Sequence, residues 1–72
     1  MARLSPTEQR IYDVLNAEPG RWLRSAVIRD RAMPDRHANN IRVHIRLMRL
    51  KGVPIESDVR GPQSRGYRLE AA

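Results

Sequence analysis

The sequence predicts a small α+β fold in which three helices precede a C-terminal β-hairpin. Three observations support this prediction. Apolar residues recur at helical spacing up to residue 51, they alternate with polar residues after it, and Gly or Pro residues separate the segments. Because 72 residues is the size of one small domain, we expect a single domain over residues 1–72. With 4% aromatic residues and no Phe, its core should be aliphatic, with Tyr12, Trp22 and Tyr67 as its few large rings.

The first predicted helix covers about residues 6–17. Ser5 can cap its free backbone amides, Pro6 suits the first helical position, and Glu8 can complete a capping box with Ser5. Pro19 disfavours a helical backbone in the residue before it, so we expect the helix to end there.

The second and third predicted helices cover about residues 25–32 and 37–51. Ser25 is the expected N-cap of the second helix, and the short segment 21–24 before it is expected to be extended. Gly52 follows the third helix, and a glycine at that position is typical of a helix end.

The C-terminal hairpin is predicted over about residues 54–70. Apolar and polar residues alternate on both sides of segment 61–66, whose Gly and Pro residues are typical of a turn. The resulting order is helix, extended piece, helix, turn, helix and hairpin. This is the order of a winged helix-turn-helix, in which the third helix is the recognition helix and the hairpin is the wing.

The chain is strongly basic. Its 14 Lys+Arg and 8 Asp+Glu give a formal net charge of +6, and Lys51 is the only lysine. The guanidinium of Arg is a planar fork of donors that suits phosphates and guanine edges. A small domain with this charge favours a polyanion, and double-stranded DNA is the expected partner. An Arg excess that only reflects a GC-rich genome is the alternative explanation.

Composition also limits the compartment. The chain has no cysteine, so no disulfide framework is expected. The N-terminal residues MARLSPTEQR lack the apolar stretch of a signal peptide, and no apolar run has the length of a membrane span. We therefore expect no membrane partner and a cytoplasmic, nucleoid-associated location.

Three arginines are predicted to form a stripe on the third helix. At about 100° per residue, Arg42, Arg46 and Arg49 fall on one side of it. No carboxylate stands between Asp35 and Glu56, which is unusual for a salt-bridged surface helix. The stripe therefore predicts contact with phosphates or base edges, and an ordinary solvated face is the alternative.

The expected base contacts are Asn39, Asn40, Arg42 and Arg46, because Arg can bind guanine bidentately and Asn can bind adenine in the same way. Arg49 is expected on a phosphate instead. The candidate DNA-binding residues of this helix are Asn39, Asn40, Arg42, Val43, His44, Arg46 and Arg49. Arg24 and Ser25, where the second helix begins, are candidate phosphate contacts.

The hairpin contributes a second basic surface, made of Arg60, Arg65 and Arg68. An Arg near the tip of a Gly-flanked turn can enter a minor groove, where narrow A·T tracts attract guanidinium groups. We expect this wing contact for Arg65. A solvent-exposed turn is the alternative, and Arg68 can equally be solvated on its strand.

A third set of residues on the helix is apolar. Val43, Leu47 and Leu50 lie together, roughly opposite the core face. That core face is predicted to consist of Ile41, Ile45 and Met48. Val43 can contact a thymine methyl group in the major groove. Leu47 and Leu50 are expected to pack under the hairpin, and a contact with a second protomer is the alternative.

No catalytic or cofactor site is predicted. His44 suits a structural hydrogen bond or a phosphate contact, and with His37 as the only other histidine we expect no metal site. Paired carboxylates, a nucleophile beside a base and a Gly-rich phosphate loop are missing from the sequence. We therefore expect neither an enzyme nor a bound cofactor.

Several short motifs occur in the order found in a known family. The chain resembles the DNA-binding effector domain of OmpR/PhoB-type response regulators, whose pattern it matches at Leu4-Ser5-Pro6-Thr7-Glu8, Pro19-Gly20-Arg21, Ile41-Arg42-Val43-His44-Ile45, Met48-Arg49, Val59-Arg60-Gly61 and Gly66-Tyr67-Arg68-Leu69. Its ending is also similar to the small winged helix of biotin-repressor-type regulators. The resemblance implies a winged helix on duplex DNA, often as a tandem dimer on direct repeats.

The chain also departs from that family pattern. Arg42 stands where the family has an acidic residue, and Leu47 and Leu50 stand where it usually has basic ones. Four residues separate Gly61 from Gly66 where the family usually has one, so a longer wing tip is expected. We also expect no receiver domain and no N-terminal sheet, since the first helix begins almost at once.

These patterns favour a small sequence-specific transcription regulator that forms a homodimer on DNA. One alternative is a protein-interaction module that contacts a partner such as RNA polymerase or a host regulator through Val43, Leu47 and Leu50. Another is an architectural DNA-binding protein of a phage.

Overall fold

The computed structural model describes residues 3–33, 39–58 and 64–70. Three α-helices are followed by a two-stranded antiparallel sheet, which is the small α+β architecture that the sequence predicts. The elements are α1 (Pro6–Ala17), α2 (Ser25–Ala32), α3 (Asn39–Leu50), β1 (Ile55–Asp58) and β2 (Gly66–Leu69). No helix within the described ranges is long and apolar enough to cross a membrane.

Glu8 fixes both the start of α1 and its position against α3. Its Oε1 accepts a hydrogen bond from the Ser5 amide at 2.7 Å, and the Glu8 amide donates to Ser5 Oγ at 3.2 Å. This is the predicted capping box, with Pro6 in the first turn. Lys51 Nζ, just beyond α3, donates to the same Glu8 oxygen at 2.5 Å. Because Glu8 is only 2% exposed, this ion pair joins the two helices largely out of water.

α2 has the predicted bounds, but its predicted N-cap and the predicted end of α3 need correction. The N-cap of α2 is Arg24, which makes no side-chain capping bond, and Ser25 is the first helical residue. The backbone at Arg24 stays extended beside the sheet, and this places the N-cap one residue earlier than the side-chain preference for Ser indicated. At its other end α3 stops at Leu50, and Lys51 lies in a turn with Gly52 at a positive φ of 95°. The predicted start at residue 37 lies outside the described residues.

β2 is hydrogen-bonded on both of its edges. On one edge it pairs with β1, with Ile55 opposite Leu69 and Ser57 opposite Tyr67. On the other edge the amides and carbonyls of Leu23 and Tyr67 exchange two hydrogen bonds of 2.8 Å. The extended segment predicted at 21–24 therefore adds a single antiparallel bridge to the second edge of β2.

The core is aliphatic, as the composition predicts. Ile41, Ile45 and Met48 form the buried face of α3. α1 packs on α2, and α3 packs on both. Tyr67 is the fully buried ring, whereas Trp22 is only half-buried and is not part of the core, contrary to expectation. The buried apolar cluster consists of Ile11, Leu15, Leu23, Ile28, Ala32, Met33, Ile41, Ile45, Met48, Val53, Ile55, Tyr67 and Leu69.

Gly66 is required by the close approach of Leu23 to β2. Its φ is 102°, and a Cβ built on it would lie 2.1 Å from the Leu23 carbonyl oxygen. Gly52 also has a positive φ, of 95°, but a Cβ there would meet no atom within 4 Å. A side chain at Gly52 would therefore add backbone strain alone, whereas a side chain at Gly66 would add both strain and a steric clash.

We expect Gly66→Ala to destabilise the fold much more than Gly52→Ala. The Gly52 change adds left-handed strain of about 1 kcal/mol. The Gly66 change adds the clash with rigid backbone as well, for a total of roughly 3 kcal/mol. Urea unfolding followed by circular dichroism measures both, and equal losses would contradict the close-approach argument.

The Glu8–Lys51 pair predicts a loss of stability in acid. The hydrogen bond from Lys51, followed by that from the Ser5 amide, holds the pKa of Glu8 below its ordinary value of 4.5. The charged Glu8 therefore stabilises the fold fully above pH 4.5, and this contribution is lost as the pH falls through the lower folded-state pKa.

Glu8→Gln separates the ion pair from the cap, because Gln can still accept from the Ser5 amide. We expect a loss of about 2 kcal/mol in the free energy of unfolding at pH 7 and a smaller loss on acidification than in the wild type. Glu70→Gln, the same change at an exposed position, is the control. If Glu8→Gln lost as much stability on acidification as the wild type, the acid sensitivity could not be assigned to the Glu8–Lys51 pair.

Candidate nucleic-acid interface

The exposed surface of α3 has a basic part and an apolar part. Arg42, Arg46 and Arg49, the basic stripe, are all exposed. Beside them Val43, Leu47 and Leu50 form an apolar strip, with 57%, 43% and 77% of their surfaces exposed. The buried face holds α3 against the other two helices, so both sets point away from the core.

The basic stripe carries uncompensated charge. The ion pairs within the described part of the chain lie at other positions and include none of the three stripe arginines. α3 itself contains no acidic residue. Among the described residues, the stripe is thus a set of three guanidinium groups without an acidic partner on one rigid element, which favours an anionic partner.

A groove of about 700 Å³ separates α3 from the hairpin. The three stripe arginines, Val43 and Leu50 line its α3 side, and Ser57 and Tyr67 line the hairpin side. The groove is open, so its walls present the guanidinium groups to solvent along one continuous surface.

The expectation that Leu47 and Leu50 pack under the hairpin is wrong. Both side chains are exposed, and Leu50 only borders the groove at its α3 wall. The hairpin buries Ile55, Tyr67 and Leu69 in the core instead. These residues belong to the same buried cluster as the core face of α3, which lies on the other side of the helix.

The side of α3 that faces away from the basic stripe is more buried than the stripe itself. Asn40 and His44 are half-buried there. The Nδ1 atom of His44 is buried and has no hydrogen-bond partner among the described residues, so the expected structural hydrogen bond is not seen at this nitrogen. For Asn39 only the backbone is described, and it begins α3. His37 lies outside the described residues.

The hairpin arginines are held by contacts within the chain. Arg68 donates to Glu56 at 3.0 Å and to the Gly20 carbonyl at 3.4 Å. Its guanidinium also lies 4.4 Å from the centre of the Trp22 ring. We call Arg68, Trp22 and Arg65 the tryptophan cluster, since the Arg65 guanidinium lies 4.7 Å from the same ring.

Arg65 is also paired with a carboxylate. Its Nε donates to Asp58 Oδ2 at 2.6 Å, across the mouth of the hairpin. Although its side chain is 63% exposed, its charge is partly compensated. Arg60, the third arginine predicted for the wing, lies outside the described residues. The described part of the hairpin is therefore less strongly cationic than its sequence suggests.

Arg24 and Ser25 lie beside the hairpin. Arg24 is exposed, whereas Ser25 is half-buried in the first turn of α2. The position of a Cβ on Gly66 would be 2.7 Å from the Arg24 Cα, so the backbone at Arg24 lies directly against the start of β2. Arg24 and Arg65 thus lie at the same end of the sheet.

Two participants in this surface were not foreseen from the sequence. The composition predicts Trp22 in the core, and the sequence predicts no partner for Asp58. The contacts that define them join residues that are distant in the sequence, such as Trp22 and Arg68. No local spacing signals such a contact, although a tryptophan flanked by Arg21 and Arg24 is compatible with a surface position.

The geometry of this surface suits binding of an anion. Within the ranges that the structure describes, no group of three His, Cys, Asp or Glu residues is placed to hold a metal ion. Free guanidinium groups beside an open groove can donate to phosphates and to base edges.

No family model matches this chain, and its comparison with curated proteins and with solved structures gives no match either.

The two groups of arginines should differ in their effect on stability. Arg68→Ala removes the Glu56 pair and the contact with Trp22, so we expect a loss of about 1 kcal/mol or more. Arg46→Ala removes an exposed side chain and should stay within about 0.5 kcal/mol of the wild type. Equal effects in urea unfolding would argue against this division into structural and free arginines.

Proposed function

We propose that the chain is a winged-helix protein that binds double-stranded DNA sequence-specifically and acts as a small transcription regulator. The observation that carries the proposal is the basic stripe on α3, with three exposed arginines that have no acidic partner among the described residues. Phosphate neutralisation by such groups supplies much of the affinity of DNA-binding proteins.

The dimensions of α3 support this proposal. A helix with its side chains is about 10–12 Å across, and the major groove of B-DNA is about 12 Å wide. α3 exposes the whole face opposite its core residues, so it can enter a groove without moving its neighbours. In this arrangement Arg49 lies towards the phosphates, and so does Arg42, which the sequence alone assigned to the base edges. Arg46 lies further round the helix and closer to the base edges.

The hairpin supports the proposal as a second contact. It lies across the groove from the basic stripe, so a duplex bound at α3 would also meet the hairpin. Arg65 is the exposed arginine on this side, and a phosphate would have to compete with Asp58 for its guanidinium. We therefore assign most of the electrostatic affinity to α3, with Arg24 and Arg65 as weaker contacts.

One copy of a domain this small covers little DNA. High specificity usually requires a larger interface than a single helix and hairpin provide. We propose that two copies bind adjacent half-sites as a homodimer, which would place the chain on the nucleoid of its cell.

The exposed apolar strip favours a second candidate function. Val43, Leu47 and Leu50 could bind a protein such as RNA polymerase, with the arginines contacting acidic residues around them. That function would be lost on Leu47→Glu and kept when DNA is removed with nuclease, whereas the proposed function needs the duplex itself.

Salt dependence tests the proposed function. Binding to a selected duplex is measured by fluorescence anisotropy across salt concentrations. If about five to eight phosphates are contacted, the log–log slope should be roughly −4 to −8. Arg49→Ala should weaken all duplexes evenly and reduce the steepness of the slope by about 1, while Arg46→Ala should relax the choice of sequence.

Arg10→Ala is the matched control, because it removes the same charge from an exposed position on α1. It should change affinity much less than either α3 variant. A flat salt response of the wild-type protein, or an Arg10 variant as weak as the Arg49 variant, would refute the assignment to α3.

A further inference from the structure

The apolar strip on α3 is an unusual surface for a helix that carries free arginines. Val43, Leu47 and Leu50 are three large aliphatic side chains that lie next to one another, each at least 43% exposed. Single exposed aliphatic residues are common, but a contiguous set on one helix face marks a contact surface.

The strip lies where a bound helix would face the floor of a groove. At about 100° per residue, its centre is roughly 160° around α3 from the centre of the buried face formed by Ile41, Ile45 and Met48. Arg42 and Arg49 lie between these two faces, on the side of the hairpin. A duplex that places its phosphates on these arginines therefore brings its base edges to the strip.

The major groove offers one apolar group to such a strip, the C5-methyl group of thymine. We infer that Val43 and Leu47, with Leu50 at the end of the strip, contact thymine methyl groups and make the protein select thymine in the floor of the groove. This inference rests on the proposed function. It adds the chemical identity of the bases that the apolar residues select.

The same side chains would discriminate against cytosine. An aliphatic group cannot accept the hydrogen bond that the cytosine amino group donates in the major groove, and burying that donor without a partner is costly. Of the described α3 side chains, none is a carboxylate that could supply the missing acceptor. Thymine is therefore favoured for two reasons. Its methyl group contacts the strip, and the strip has no acceptor for the amino group of cytosine.

The charge of the surrounding surface favours DNA over a protein as the occupant. The strip is bordered by the three uncompensated arginines, and α3 carries no acidic residue. A duplex supplies a regular line of phosphates beside an apolar methyl group, which matches both parts of the surface at once.

Replacing thymidine by deoxyuridine isolates the contribution of the methyl group to the binding affinity. Uracil presents the same hydrogen-bonding edges as thymine and lacks only the methyl. We would measure binding to a duplex of alternating A·T pairs and to the same duplex with deoxyuridine in place of every thymidine. The wild-type protein should bind the thymine duplex about fourfold more tightly for each methyl group that it covers.

Three variants locate the contact. Val43→Ala and Leu47→Ala should each lower the thymine-to-uracil affinity ratio towards 1. Arg49→Ala, the matched control, should weaken both duplexes and leave the ratio unchanged. Because all three residues are exposed, each variant should unfold at the wild-type urea midpoint.

The outcomes separate this inference from the proposed function. Failure to bind either duplex would overturn both. Equal affinity for the two duplexes would overturn the inference alone, and so would a high ratio that both alanine variants retain. DNA binding that is unaffected by Leu47→Ala would also overturn it and would leave the strip to a protein partner.

Discussion

The rest of the structure depends on the backbone pairing between Leu23 and Tyr67. Two hydrogen bonds of 2.8 Å join these residues, and they fit only because Gly66 has no side chain to oppose the Leu23 carbonyl. The pairing fixes the hairpin to the segment between α1 and α2. Since α3 packs on those same helices, the distance between α3 and the hairpin is fixed as well, and the groove follows from it.

The positive charge of the chain divides into two kinds. In the hairpin, Arg65 and Arg68 are engaged with Asp58, Glu56 and the Trp22 ring, so they contribute to holding the sheet together. On α3 the arginines have no such partners within the described ranges. A uniform basic surface would bind any polyanion loosely. A rigid stripe on one helix face beside an open groove would restrict the orientation in which a duplex can bind. This restriction is the physical basis of the proposed function.

Local sequence was sufficient for the elements but not for all of their contacts. The capping box at Ser5 and Glu8 and the core face of α3 depend on residues three to four positions apart, so spacing alone predicted them. The cap at Ser25 was predicted wrongly, because pairing with β2 keeps the Arg24 backbone extended. The position of Trp22 was missed for a related reason, since its two arginine neighbours come from the hairpin, more than forty residues later in the chain.

The sequence by itself determined the order of helices and strands, the aliphatic core and the basic stripe on α3, because each is set by periodicity or by composition. Only the tertiary structure decided which arginines are free and which are neutralised, and that Val43, Leu47 and Leu50 stay exposed. The physical reason is that exposure and charge compensation depend on what packs against a residue. In this chain the packing around these residues is set by two contacts. One is the pairing of the edge of β2 with Leu23, and the other is the packing of one face of the hairpin on the core.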